Sequence, residues 1–298
     1  MANDPIHEVG GCLCGAVRYR AVAGKSQTVT HCHCRMCRKA NGGTLATWVE
    51  FPVIDFVVTK GEPRHFRSSD VAERTFCGGC GCQLSFHAVA NPDGPSDSIW
   101  LALGSLDRPG DIAPTHHIFT DNQLPRLHVF DDLPRWPNQL PWIRPEDELP
   151  EPTAPEQRHD DQPVAAVDHG EAHEGGCLCG SVRYRAVVGE ARIATHCHCG
   201  MCRRSGGATL VSWVQVPVAD FVFTSGQPLR FRSSPVAERL FCGTCGCQLT
   251  FQFSDNSADH ATSVWITLGS TDRPEDFDPA NQVFTDDRLS WLHISASP

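Results

Sequence analysis

Sixteen cysteines fall into two patterns that a single shift of 165 residues superimposes. Cys12, Cys14, Cys32, Cys34, Cys37, Cys77, Cys80 and Cys82 become Cys177, Cys179, Cys197, Cys199, Cys202, Cys242, Cys245 and Cys247, and no cysteine lies outside the scheme. The chain is therefore one thiol-rich unit written twice, and any fold it adopts must gather the same eight thiols in each copy. The match extends to other residues: Trp48 with Trp213, Phe66-Arg67-Ser68-Ser69 with Phe231-Arg232-Ser233-Ser234, and Trp100 with Trp265. Two copies are too few for a solenoid, so tandem domains over 1–143 and 174–298 are expected, joined by a connector over 144–173.

The state of the thiols depends on the compartment. The opening residues Met1 to Glu8 lack the basic start and apolar run of a secretory signal. The most apolar stretch, Leu45 to Val58, is interrupted by Glu50, Pro52 and Asp55 and is too short to cross a bilayer. A cytoplasmic location with reduced thiols is the expectation. Close C-x-C and C-x-x-C pairs in such a chain favour metal over disulfides.

The net charge of −10 is unevenly placed. Residues 1–130 carry 12 basic and 12 acidic side chains, 131–173 carry 3 and 11, and 174–298 carry 10 and 12. The acidity belongs to the connector. Neither half has the basic balance of a phosphate-backbone binder, so nucleic acid is not expected as a partner, nor is a membrane.

Periodicity points to strands. Ala16–Val22 alternates apolar and polar residues, and similar runs occur at Leu45–Phe51, Phe56–Thr59, Gln83–His87, Ile99–Leu103 and Arg126–Phe130. Cys34–Asn41 offers helix formers closed by Gly42-Gly43. The expected class is all-β: a small antiparallel domain, duplicated, with short helical turns. Leu133, Trp136, Leu140, Trp142 and Ile143 should pack back on the first half, while the polar stretch from Arg144 to His173 reads as a spacer.

A closed tetrahedral site needs four ligands, and a reactive one needs three with a position to spare. Cys12, Cys14, Cys77 and Cys80 can form the first kind, tying together residues 65 positions apart. Cys32, Cys34 and Cys37 can form the second. Cys82 is an alternative fourth ligand that would close that second site, and His31 and His33 are others, as are His196 and His198 in the other half. Met36 and Met201 read as core filler.

The segments Gly11-Cys12-Leu13-Cys14-Gly15, His31-Cys32-His33-Cys34-Arg35-Met36-Cys37, Phe66-Arg67-Ser68-Ser69 and Ala72 to Gly81 resemble the glutathione-dependent formaldehyde-activating enzyme family, which includes centromere protein V. The second half carries the same set, and the resemblance spans both halves apart from the spacer. It implies small packed antiparallel sheets with two zinc ions in each half and four in the chain. Cys12, Cys14, Cys77 and Cys80 would be the structural ligands, and Cys32, Cys34 and Cys37 those of a catalytic ion. In the second half Cys177, Cys179, Cys242 and Cys245 would take the first role, and Cys197, Cys199 and Cys202 the second.

The implied activity is a carbon–sulfur lyase of the S-(hydroxymethyl)glutathione synthase kind, with a small thiol and an aldehyde as partners. Arg38 and Arg203, just after the third thiol, are the candidates to bind a carboxylate of the thiol substrate. Arg35 becomes Gly200 and is the poorer choice. Glu73-Arg74 and Glu238-Arg239 read as structural ion pairs. The two halves are expected to pack as an intramolecular pseudo-dimer. The rival readings are a non-enzymatic zinc module that binds protein or nucleic acid, and a sensor of thiols or zinc.

Overall fold

A computed structural model describes residues 7–22, 28–89, 96–138, 172–188, 193–254 and 262–295. The first half runs β1 (His7–Gly11), β2 (Arg18–Val22), β3 (Val29–Cys32), α1 (Arg35–Asn41), β4 (Ala46–Pro52), β5 (Phe56–Lys60), β6 (Arg64–Ser69), β7 (Ala72–Phe76), β8 (Gln83–Ala88), β9 (Ser98–Ala102), β10 (His116–Ile118) and β11 (His128–Val129). The second half repeats this order from β12 (Ala172–Gly176) to β22 (Ile294–Ser295), with α2 at Gly200–Gly206. Each half has a three-stranded sheet, β1-β2-β5 in the first, and a seven-stranded sheet, β10-β3-β4-β9-β8-β7-β6. The pairs in these two sheets are antiparallel except at one edge, where β10 lies parallel to β3. That edge strand arrives by a long connection rather than a hairpin, which is what parallel pairing requires. The mostly β, duplicated architecture expected from the sequence is observed.

The large sheet separates two apolar clusters, and this arrangement positions the thiols. Alternation in β4 sends Val49 and Phe51 to the main core, while Trp48 and Ala46 face the other side, beside Cys32 and Cys37. Strand β4 is consequently buried on both faces over most of its length. Helix α1 begins where Cys34 caps it, its sulfur accepting from the Cys37 N–H at 3.3 Å. It ends at Gly42, whose φ of 76° is the left-handed conformation that closes helices.

Strands β1, β3, β6, β7 and β10 were not expected from the pattern. Strand β3 is the four residues Val29-Thr30-His31-Cys32, short and half polar, yet all four are buried. In β7, Arg74 occupies an inward position, which disguises the alternation of Ala72, Arg74 and Phe76 toward the interior.

The halves touch through matched contacts. One core cluster of buried side chains draws on both, from Tyr19, Leu101 and Leu103 to Tyr184, Ile266 and Leu268. Asp107 pairs with Arg18 of its own half and with Arg204 of α2. Asp272 repeats this with Arg183 and with Lys39 of α1. Gln83 Nε2 donates to the Cys245 carbonyl at 2.9 Å and Gln248 Nε2 to that of Cys80 at 2.8 Å. The backbones meet where the Gly104 N–H donates to Gly207 O at 3.2 Å. A Cβ on Gly104 would stand 2.1 Å from the Ala208 carbonyl oxygen. Strand β11 pairs antiparallel with β22 of the other half.

After β11 the chain runs back along β10, with the His117 N–H donating to Pro134 O and the Trp136 N–H to His117 O. Trp136 is buried there. Leu140, Trp142, Ile143 and the spacer as far as residue 171 lie outside the described residues. Among the described residues no helix is long and apolar enough to cross a membrane.

Candidate metal centres

The turn between β1 and β2 carries Cys12 and Cys14, and the turn between β7 and β8 carries Cys77 and Cys80. Their four sulfurs all lie within 4.8 Å of one another. The Cys12–Cys14 and Cys14–Cys77 separations are 3.5 and 3.6 Å, far longer than a disulfide. Thiolates at about 2.3 Å from one tetrahedral ion stand about 3.8 Å apart, so the set fits zinc. Backbone N–H groups already point at the sulfurs, from Val17 to Cys12 at 3.2 Å and from Gly79 to Cys77 at 3.4 Å. Contacts with Cys77 and Cys80 hold Cys12 far below the ordinary thiol range, while its thiolate pushes Cys77 up to about 12. A dication bound there would take the place of the thiol protons. Cys177, Cys179, Cys242 and Cys245 repeat the group.

The second group sits at the end of β3 and the start of α1. Cys32, Cys34 and Cys37 come together within 4.8 Å, as do Cys197, Cys199 and Cys202. Among the described residues no fourth cysteine, histidine or carboxylate joins either set. Cys32 and Cys37 are buried and Cys34 is half-buried, so the set opens on the Cys34 side. Trp48, Phe86, Trp100, Ile118 and Phe119 pack around it. Phe119 has φ of 56° and its counterpart Phe284 has 55°, the two non-glycine residues in the left-handed region among the described residues. A bulky residue held there costs of order 1–3 kcal/mol, and such strain gathers at functional sites.

Arg74 is the group that sequence reasoning missed. The pairs expected of Glu73 with Arg74 and Glu238 with Arg239 do not form, because adjacent residues of a strand face opposite ways. Glu73 instead meets His65 at 2.8 Å, and Glu238 meets Arg230. Arg74 is 1% exposed and donates from Nη2 to Cys37 Sγ at 3.3 Å. Its Nε and Nη1 have no hydrogen-bond partner. The guanidinium carbon lies 5.5 Å from the Trp48 ring centre and 5.1 Å from that of Phe86. Arg239 repeats the arrangement with Cys202, Trp213 and Phe251. Contacts with Cys32 and Cys34, then the Arg74 charge, hold Cys37 well below its ordinary range against the effect of burial. The local sequence carries no signal for it, because the inward facing of Arg74 and its aromatic neighbours Trp48 and Phe86 are set by the assembled sheet.

The remaining candidates fall elsewhere. Cys82 and Cys247 belong to neither group; their sulfurs donate to the carbonyls of Gln83 and Lys39 respectively. His31 and His33 turn away from the three thiols, His31 Nδ1 meeting Thr47 Oγ1 at 2.8 Å and His33 Nε2 meeting His117 Nδ1 at 2.9 Å. His196 Nδ1 meets Ser212 Oγ at 2.7 Å, and His198 Nε2 meets Gln282 Oε1 at 2.9 Å. Arg38 is buried, its Nη1 donating to the carbonyls of His33 and Asn122, and Arg203 Nη1 donates to those of His198 and Asp287. Met36 and Met201 are not core filler: both are exposed, at the second position of α1 and of α2.

The model of one protein family, described as glutathione-dependent formaldehyde-activating enzyme, matches residues 7–122 and again 172–287. An uncharacterized lyase of Schizosaccharomyces pombe is 27% identical over 137 residues, covering 39% of this chain and 93% of its own length. A Halomonas elongata protein assigned by name to the glutathione-dependent formaldehyde-activating enzymes is 33% identical over 82 residues, 25% of this chain and 52% of its own. A solved structure from Rhodobacter sphaeroides aligns with 33% of this chain and 85% of its own at 21% identity, with a TM-score of 0.28 that supports no conclusion.

Proposed function

This chain belongs to the glutathione-dependent formaldehyde-activating enzyme family, and from that premise we propose that each half joins a small thiol of the glutathione class to formaldehyde or a similar aldehyde, or runs the reverse reaction as a lyase. In the forward direction the sulfur bonds to the carbonyl carbon, the C=O π pair moves to oxygen, and the thiol proton ends on the new hydroxyl. The observation that carries this reading is the incomplete thiol set: Cys32, Cys34 and Cys37 converge on one point and, among the described residues, no fourth protein ligand closes it.

In this reading Cys32, Cys34 and Cys37, with Cys197, Cys199 and Cys202, hold the reactive zinc. The four-cysteine sets hold the structural one. When bound, zinc supplies Lewis acidity and makes a thiol that reaches it more acidic. Arg74 sets a fixed positive charge against the third thiolate, offsetting the negative charge that three thiolates leave on a dication. The aromatic wall of Trp48, Phe86, Trp100 and Phe119 restricts water on one side, while half-buried Cys34 marks the side from which substrate enters. Recognition of a substrate carboxylate is assigned to Arg38 and Arg203, through the guanidinium edge not spent on backbone carbonyls.

The test is consumption of formaldehyde and glutathione by zinc-loaded protein and by a Cys34→Ser/Cys199→Ser variant. The expected result is turnover above the uncatalysed rate that the variant loses. Turnover at the background rate in both refutes the activity. Equal turnover in both removes the three-thiol sets from it.

The same reading takes 1–143 and 174–298 as domains that pack as a covalent pseudo-dimer. The Asp107–Arg204 and Asp272–Lys39 pairs support it. Scattering from the full chain should give one compact particle; two bodies at variable separation would oppose it.

A further inference from the structure

A third kind of ligand set lies outside the thiols. His31, on β3, His117, on β10, and Asp131, two residues after β11, bring one donor atom each within 4.8 Å of the others. Alternation along β3 puts His31 on the face opposite Cys32. The imidazoles stand 4.9 Å apart between ring centres, and both histidines are buried. In each ring Nδ1 meets a neighbouring side chain, and His117 Nδ1 also lies 3.4 Å from Arg135 Nη1. His31 Nδ1 is fixed by Thr47 Oγ1 at 2.8 Å, leaving Nε2 for the cluster. His117 Nδ1 is fixed by His33 Nε2 at 2.9 Å, and its Nε2 stands 3.0 and 3.1 Å from the two Asp131 oxygens. Arg135 Nη2 donates to Asp131 Oδ1 at 2.9 Å and so orients the carboxylate.

We propose that His31, His117 and Asp131 form a binding site for one divalent transition-metal ion, present in the first half alone. A nitrogen and an oxygen on one ion at about 2.1 Å each stand about 3.0–3.4 Å apart, which the His117–Asp131 separation meets. Two imidazoles and a carboxylate suit zinc and its neighbours in the first transition row. Anchoring of the far nitrogen of each ring is the usual support of a ligating histidine.

The duplication supplies a comparison within the molecule. Both halves keep every cysteine, yet position 117 corresponds to Gln282, and 131 to Ala296. Gln282 Oε1 accepts from His198 Nε2 at 2.9 Å, so an amide suffices to partner the histidine of the C-x-C turn. Hydrogen bonding alone therefore does not explain why the first half places a second histidine and a carboxylate there. An ion would cross-link β3, β10 and the stretch just after β11, the strand that pairs with the other half. None of these residues belongs to the thiol sets, so the proposal stands or falls independently of the proposed reaction.

The full chain, loaded with Zn2+ and crystallised, should show an anomalous peak between His31, His117 and Asp131 in data collected above the zinc edge and none below it. In Co2+ titrations the wild-type chain should take up one more equivalent than His117→Gln or Asp131→Asn, and that equivalent should add no thiolate charge-transfer absorption. Equal uptake by wild type and both variants, or a difference map without a peak at the cluster, overturns the proposal and leaves a proton between His117 and Asp131. Should the variants fail to fold, the wild-type anomalous map decides alone.

Discussion

Arg74 sits where a charge would be costly without the thiols beside it. Burial works against its positive form, but Cys37, Cys34 and Cys32 together raise its pKa. Groups that support metal ligands in this way typically change affinity or activity by about 10–100-fold when removed. Arg74→Gln is therefore expected to weaken metal retention at Cys32, Cys34 and Cys37 by about that factor while leaving the four-cysteine set intact. Competition with a chelator that separates fast and slow metal release checks it. Cys82→Ala provides the contrast: Cys82 makes a weak contact with the Gln83 carbonyl at 3.4 Å and joins no set, so metal content should not change. Loss of an ion from that variant would restore Cys82 to the ligand list. The cysteine groups were legible as spacing, whereas Arg74 was not, because its role depends on which way β7 turns its side chains.

Helix α1 illustrates how a short element is fixed at both ends. Seven residues are too few for a helix to persist unaided. The Cys34 sulfur caps its start, and Gly42 closes it with φ of 76° and no room for a side chain, since a Cβ would lie 2.9 Å from Thr267 Cγ2 of the other half. Gly42→Ala combines a left-handed alanine with that crowding and should cost about 1–2 kcal/mol or more, seen as a lower denaturant midpoint. The helix was readable because Gly42-Gly43 follows helix formers. Strands β3 and β10 were not, since Val29-Thr30-His31-Cys32 and His116-His117-Ile118 are short and polar. Their burial comes from neighbours that no local pattern reveals.

At the scale of the molecule, Asp107 and Asp272 each hold a cation from either half. Asp272 is held below the ordinary carboxylate range by Arg183 first and Lys39 second. Its depressed folded pKa means that its contribution is complete above the unfolded value of about 3.9 and is lost as pH falls below it. Solvent screening keeps that contribution to about 1 kcal/mol. Asp272→Asn should lower the thermal midpoint near neutral pH by a few degrees and flatten its decline below about pH 4. A variant with the wild-type acid limb would show that the pair carries no linkage.

The sequence alone determined the duplication, the β class and the helix at the C-x-x-C turn, because each is written in spacing or in local alternation, and it narrowed the cysteine groups to those the structure brings together while leaving Cys82 open. Only the tertiary structure decided what stands against the thiols and between the halves. Arg74 reaches Cys37 from a strand 37 residues away, and His117 and Asp131 reach His31 across 86 and 100 residues. Such meetings depend on strand order and on the facing of each side chain, which are properties of the assembled sheet.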